Sequence, residues 1–332
     1  MAQNVNEAFN IFRKNIVNLN SDDSKKAKSS RDWLIGKITA FPNNNPDFPI
    51  LYPARNIAYG SFARKTKKRP LDDVDLMIGL NAEGSTYNNY GDKVVLFTGE
   101  NVNRLKKYCF ENSNQINSIK IVNAFVKNIK GIAQYASADI NRNQEAATLN
   151  LLSYDWVFDI VPCFFTSLEG DGKNYYIIPD GNGHWKLTDP RIDRDRVKEL
   201  NSNLGGKVLD IVRMTKYWNQ RPTMPSMGSY LLENMLLDHF TNAITINEYC
   251  DIEMIEIFNQ IKTRVYHPVY DPKNIQGDIN TLSWYEKTKI ASRADSDYQK
   301  AKEARKLESD GNMKGSIKKW GEIFGDNFPK YY

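Results

Sequence analysis

Residues Asp73 to Leu80, Asp-Val-Asp-Leu-Met-Ile-Gly-Leu, constrain the fold more than any other stretch of the chain. Val74, Leu76, Ile78 and Leu80 place an apolar side chain at every second position, which is the pattern of a strand. Successive strand side chains point to opposite faces, so Asp73 and Asp75 share the face that Val74 and Leu76 do not occupy. Asp72 points the other way and is the weakest candidate of the three. Two carboxylates side by side on a sheet repel each other unless a cation sits between them. A divalent ion with oxygen ligands answers that need, and Mg2+ takes a few carboxylates together with substrate phosphates.

The stretch before this strand supplies a phosphate cradle. Gly60 lets the backbone approach a ligand closely, and Ser61 adds a hydroxyl donor. Gly60-Ser61 with Asp73-Val74-Asp75 resembles the signature of the polymerase-beta-like nucleotidyltransferases, where a Gly-Ser turn holds the triphosphate and the paired acids bind two metals. Between turn and strand runs Arg64-Lys65-Thr66-Lys67-Lys68-Arg69, read either as a solvated loop or as an electropositive rim. A third acid lies in the apolar run Trp156 to Phe164, where Asp159 is costly to bury without a partner. Beside Asp73 and Asp75 on one sheet it completes a three-carboxylate site. Asp155 has the same strand parity, but its turn position favours solvation.

The chain has 332 residues, 41% hydrophobic and 26% charged, with net charge +5. That length allows one large or two modest domains, and the charge suits a protein handling nucleotides without requiring a nucleic-acid partner. The cysteines Cys109, Cys163 and Cys250 and the histidines His184, His239 and His267 are dispersed, with neither bridge framework nor zinc spacing. No apolar run reaches membrane-spanning length and no signal-peptide pattern opens the chain, so a cytoplasmic setting is expected.

Helical periodicity predicts an amphipathic helix over residues 4–19 and another over 22–41, the latter burying Trp33, Leu34 and Ile38. Residues 81–92 read as a mobile surface loop, 94–98 as a strand, 101–112 and 117–130 as helices, and 146–152 as a strand. The Gly- and Asn-rich stretch 171–196 reads as a connection between two lobes. Helices follow over 207–220, 230–240, 251–266, 281–307 and 313–324, with Ser229 as an N-cap and Gly325 as a stop. Arg213 and Lys216 fall together at the edge of the first of these.

Collected, Gly60-Ser61-Phe62, Asp73-Val74-Asp75, Phe158-Asp159-Ile160-Val161-Pro162, Lys216-Tyr217-Trp218 and Ser229-Tyr230-Leu231-Leu232-Glu233 resemble the bacterial cGAS/DncV-like nucleotidyltransferases, the second-messenger synthetases of anti-phage signalling. Ala138-Asp139-Ile140-Asn141-Arg142-Asn143 and the ending Trp320 to Pro329 extend the likeness over nearly the whole chain. The resemblance implies an α+β, bilobed fold: N-terminal helices and a mixed-sheet palm with three acids over residues 1–195, and a helical lobe over 196–332. It implies that Gly60 and Ser61 hold the donor triphosphate and that Asp73, Asp75 and Asp159 ligate two Mg2+, with Mn2+ as an alternative. Lys216 and Ser229 would contact the triphosphate from the helical lobe, and Tyr230 would stack on the donor base. The implied activity is synthesis of a cyclic di- or oligonucleotide from NTPs by a monomer that needs no nucleic acid and acts on an effector through its product. An RNA- or protein-modifying nucleotidyltransferase, or a silent nucleotide-binding subunit, are the alternatives on the same residues. The basic Lys67-Lys68-Arg69 departs from the family's usual stretch.

Overall fold

The computed structural model describes every residue except Asn101, Thr223 and Ser226. Its α-helices are α1 (Val5–Phe12), α2 (Ser21–Thr39), α3 (Phe41–Asn44), α4 (Gly60–Ala63), α5 (Ser118–Lys130), α6 (Pro190–Asn203), α7 (Val208–Asn219), α8 (Ser229–Thr241), α9 (Cys250–Arg264), α10 (Trp284–Ser309) and α11 (Met313–Phe324). The strands are β1 (Ile57–Tyr59), β2 (Asp73–Gly79), β3 (Thr86–Asn89), β4 (Val94–Phe97), β5 (Asp139–Asn143), β6 (Ala146–Asn150), β7 (Val157–Phe165), β8 (Tyr176–Pro179) and β9 (Trp185–Thr188). They form two compact units. One holds Met1–Asn20, Arg64–Pro70 and Ile192–Tyr332; the other holds Ser21–Ala63 and Leu71–Arg191.

In the second unit the described strands form one mixed sheet in the order β1-β2-β7-β8-β9-β4-β3, with the β5–β6 hairpin joined to β7 through β6. β2 and β7 run parallel, from Asp73 opposite Val157 to Gly79 opposite Cys163. The first half of β7 also pairs with β6, and its last residues turn to β8. Alternation decides the faces: Val74, Leu76, Ile78, Phe158 and Ile160 are fully buried, whereas Asp73, Asp75 and Asp159 are half-buried. Helix α5, capped by Asn117, packs its stripe of Ile121, Val122, Phe125 and Ile129 into the unit, lying against β5, β6 and β7. Beyond the acids their face continues as an apolar floor of Met77, Val161, Cys163, Tyr176 and Ile178.

The first unit is helical. Phe9 of α1 sets its ring 4.8 Å from Trp320 and 5.3 Å from Phe328, and Phe12 lies 4.9 Å from Phe324. Around them one core gathers Trp218, Leu232, Phe240, Phe258 and Ile323. Ser283 and Glu286 close a capping box on α10, and Gly325, at φ 87°, ends α11. Among the described residues no helix is long and apolar enough to cross a membrane.

Several expectations are corrected here. Residues 81–92, expected as a mobile surface loop, contribute β3, which pairs with β4. The stretch 171–196 does hold the passage from one unit to the other, between Arg191 and Ile192, but it is not a bare connection: it also supplies β8 and β9 and the start of α6. Of the helix expected over 101–112, the first residue lies outside the described residues and the rest holds only a 3-10 turn, Leu105–Tyr108. Trp33 is 40% exposed; Leu34 and Ile38 are the residues that seat α2. The crossover at Arg191/Ile192 lies near the expected 195/196, but residues 1–20 and 64–70 belong with the C-terminal helices and not with the sheet.

Candidate active site

Strand register assembles the acids. Asp75 lies opposite Asp159 in the parallel β2–β7 pair, Tyr59 lies opposite Asp75, and Thr148 lies opposite Asp159. Tyr59, Asp75, Asp159 and Thr148 therefore form a row across four adjacent strands, on the face that also carries Asp73. The Thr148 hydroxyl donates to Asp159 Oδ1 at 2.7 Å and fixes that carboxylate. Burial, followed by the charges of Asp75 and Asp159, pushes the Tyr59 phenol well above its ordinary pKa, so it stays neutral beside them. Asp72 precedes the strand, and its carbonyl accepts from the Val157 amide at 3.0 Å. Asp155 is exposed, as its turn position implied.

The Gly-Ser turn sits directly on this row. Gly60 has φ +70°, and a Cβ built there would stand 1.8 Å from Asp75 Oδ2. Backbone and carboxylate thus meet at a distance only glycine permits. Ser61 follows, half-buried, in the single turn α4.

Among the described residues, no three carboxylate, imidazole or thiolate groups converge into a finished metal cage. What is present is a register-paired couple of hard oxygen donors, a third acid on the same face and a backbone cradle. That donor set fits an ion that takes one or two carboxylates and completes its shell with substrate phosphate, the habit of Mg2+.

In the helical unit, Lys216 and Tyr230 are held by neighbouring side chains. Lys216 is 4% exposed and its ammonium is committed to Glu233, with Thr66 Oγ1 at 3.3 Å. Glu233 also takes Arg64 Nε at 2.6 Å and the Thr66 hydroxyl at 2.8 Å. Burial pushes the Glu233 carboxyl up, but Lys216 and Arg64 outweigh it and hold it down to about 2. Arg64 is therefore an internal ion-pair partner and not part of a solvated loop. Arg213 donates to the Lys65 carbonyl and pairs with Asp210.

Ser229 is not a cap: Gly228 holds the N-cap position without a side-chain bond, and Ser229 is the exposed first residue of α8. Tyr230 donates its hydroxyl to Asp193 at 2.8 Å and accepts from Lys273, whose ammonium also lies 4.7 Å from the ring centroid. Sequence reasoning missed Tyr59, Thr148 and Glu233 as site-shaping residues. Tyr59, immediately before Gly60, carried a positional signal; Thr148 carried none, because only strand register brings it to Asp159.

No protein-family model matches the sequence. The chain is 44% identical over 332 residues to a probable cyclic nucleotide synthase of Bacillus cereus (strain VD146), covering 100% of this chain and 99% of that protein. Among solved structures, CdnC of E. coli MS115-1 with ATP matches 98% of both chains at TM-score 0.71 and 15% identity. The DncV cyclic AMP-GMP synthase of Vibrio cholerae matches 84% of this chain and 70% of its own, at TM-score 0.59 and 15% identity. These two likenesses carry the fold, an α+β nucleotidyltransferase fold with a mixed sheet and a helical C-terminal region; the full-length Bacillus likeness carries the family. The chain belongs to the bacterial cGAS/DncV-like nucleotidyltransferases.

Proposed function

We propose that this protein joins NTPs into a cyclic di- or oligonucleotide second messenger, releasing pyrophosphate, and that the product serves anti-phage defence by reaching a separate effector. The observation that carries the reading is Asp75 paired in register with Asp159 while Gly60 rests on the Asp75 carboxylate. It joins an acid pair and a phosphate-binding turn in one place, which nucleotidyl transfer requires and a plain binding module does not.

Asp73, Asp75 and Asp159 are the residues that would hold Mg2+, with Mn2+ as an alternative; the bound ions would lower the pKa of a ribose hydroxyl and stabilise the pyrophosphate leaving group. The chain's own contribution is positioning, which supplies much of the rate in phosphoryl transfer. The Gly60 and Ser61 amides and the Ser61 hydroxyl orient the donor phosphates. Asp159, held by Thr148, takes the proton of the attacking hydroxyl. The neutral phenol of Tyr59 adds no further negative charge to the row.

In the helical unit Ser229 and Tyr230 are the proposed nucleotide contacts, whereas Lys216 acts through Glu233 as a positioning residue. A monomer that needs NTPs but no nucleic acid fits the modest net charge of +5. The test is incubation with labelled NTPs and Mg2+, with and without RNA, followed by mass spectrometry of the product. A cyclic product that disappears in the folded Asp75→Asn, Asp159→Asn double variant supports the reading. Elongated RNA, or unchanged synthesis by that variant, refutes it.

A further inference from the structure

Away from the acids, helix α2 presents Lys25, Lys26, Ser29, Ser30 and Trp33 to a cavity of about 590 Å3, within the size range of small-ligand sites. The rest of the lining comes from the 3-10 turn at Tyr135, whose ring touches that of Trp33, and from the β6–β7 connection at Tyr154. None of Gly60, Ser61, Asp73, Asp75 or Asp159 lines it.

Two features of the walls select a ligand. The first is aromatic. Trp33 is 40% exposed, an unusual state for an indole, and stands edge-on to Tyr135 with centroids 5.4 Å apart. Tyr154 is stacked on the buried Trp156 at 4.5 Å and 19° yet remains 37% exposed, so the pair offers a preformed platform for one more planar ring. The second feature is charge. Among the described lining residues there are two ammonium groups and several hydroxyls but no carboxylate. Lys25 has Asp22 at 3.6 Å, but both side chains are more than 70% exposed (78% and 73%), a pairing weak enough for a phosphate to displace.

We propose that this cavity is a second, non-catalytic nucleotide site, taking a purine ring against the Trp33 and Tyr154 walls and its phosphate on Lys25 and Lys26. A planar ring and an anionic tail satisfy both wall types at once, and the volume admits a mononucleotide. Occupancy would couple α2 to the β6–β7 connection, the segment that leads into the strand bearing Asp159. The site stands on its own residues and does not depend on the catalytic reading.

The experiment uses the full chain carrying Asp75→Asn and Asp159→Asn, titrated calorimetrically with AMP, GMP and tripolyphosphate in EDTA. Saturable purine-nucleotide binding is expected, with at least about tenfold loss in added Trp33→Ala or Lys26→Glu, as removal of one stacking partner or phosphate contact implies. Tripolyphosphate should bind at least about tenfold more weakly than AMP. The exposure of Trp33 and Lys26 lets both variants fold, which their circular-dichroism melts check. No saturable binding, unchanged affinity in both variants, or tripolyphosphate binding as tightly as AMP (an anion patch only) overturns the proposal. Failure of the catalytic reading would appear instead as absent product from NTPs in the unmodified protein.

Discussion

At Gly60 a hydrogen stands where any other residue would drive a methyl group into the Asp75 carboxylate, 1.8 Å from Oδ2, on a backbone at φ +70°. Gly60→Ala should therefore cost about 1–3 kcal/mol of stability for the left-handed backbone alone. It should also lower product formation by roughly 100-fold, the order expected when a reacting group is displaced by about 1 Å. Thermal melts and turnover measured on the same preparation check both halves; wild-type activity would separate the turn from the acids. Thr148 tests the same row from the other side. Thr148→Val removes the 2.7 Å bond to Asp159 with little change in volume, so turnover should fall about 10–100-fold while the melting temperature changes little. At this scale Gly60, Ser61, Asp73, Asp75 and Asp159 were legible because spacing and parity are properties of the strand itself. Thr148 and Tyr59 depend on which strands become neighbours, and no local pattern states that.

Helices α7 and α8 are joined by one carboxylate. Glu233, 1% exposed, answers Lys216 of α7 and, through Arg64 and Thr66, the segment Arg64–Pro70. Glu233→Gln leaves two buried cations without their anion and should destabilise the helical unit by about 3–5 kcal/mol near neutral pH. The pH dependence has a definite sign. The folded carboxyl is held down to about 2 from an ordinary 4.5, so its contribution is complete above 4.5 and is lost as pH falls toward 2. Melting temperatures recorded between those values should decline in the wild type, and Glu233→Gln should flatten that decline; an unchanged slope would remove Glu233 from the acid response. Elements with long periodic stretches, such as α5, α7 and α11, were readable from apolar spacing. The four-residue strands β8 and β9 were not, because runs that short in a glycine-rich stretch acquire their identity only from the strands they join.

The helical unit is discontinuous in sequence. Phe9 and Phe12 from the chain's beginning pack against Trp320, Phe324 and Phe328 from its end, and Ala2 bridges to Tyr331. A fragment of residues 196–332 lacks those rings and the segment 64–70, so it should fail to reach the native fold: broad amide resonances and rapid proteolysis are expected. In the full chain, Phe9→Ala should cost about 3–5 kcal/mol, the range for emptying a buried aromatic position. A cooperative melt of the fragment at the intact protein's temperature would contradict this account of the core. The expected division at 195/196 lies close to the crossover at Arg191/Ile192 but assigns residues 1–20 and 64–70 to the other unit, because a boundary read along the chain assumes contiguous units and hydrophobic packing has no such requirement.

What the amino-acid sequence determined by itself is the chemistry: an acid-bearing strand, a glycine that frees the backbone before it, a third acid in an apolar run, and helices wherever apolar residues recur at helical spacing. These follow from local geometry, since side-chain direction in a strand or helix repeats with a period that the sequence displays. What only the tertiary structure decided is neighbourhood: Asp75 beside Asp159, Thr148 bonded to it, Lys216 turned inward to Glu233, and residues 1–20 built into the C-terminal core. Those pairings join residues far apart along the chain. They are selected by burial and charge compensation in three dimensions, which leave no periodic trace in one.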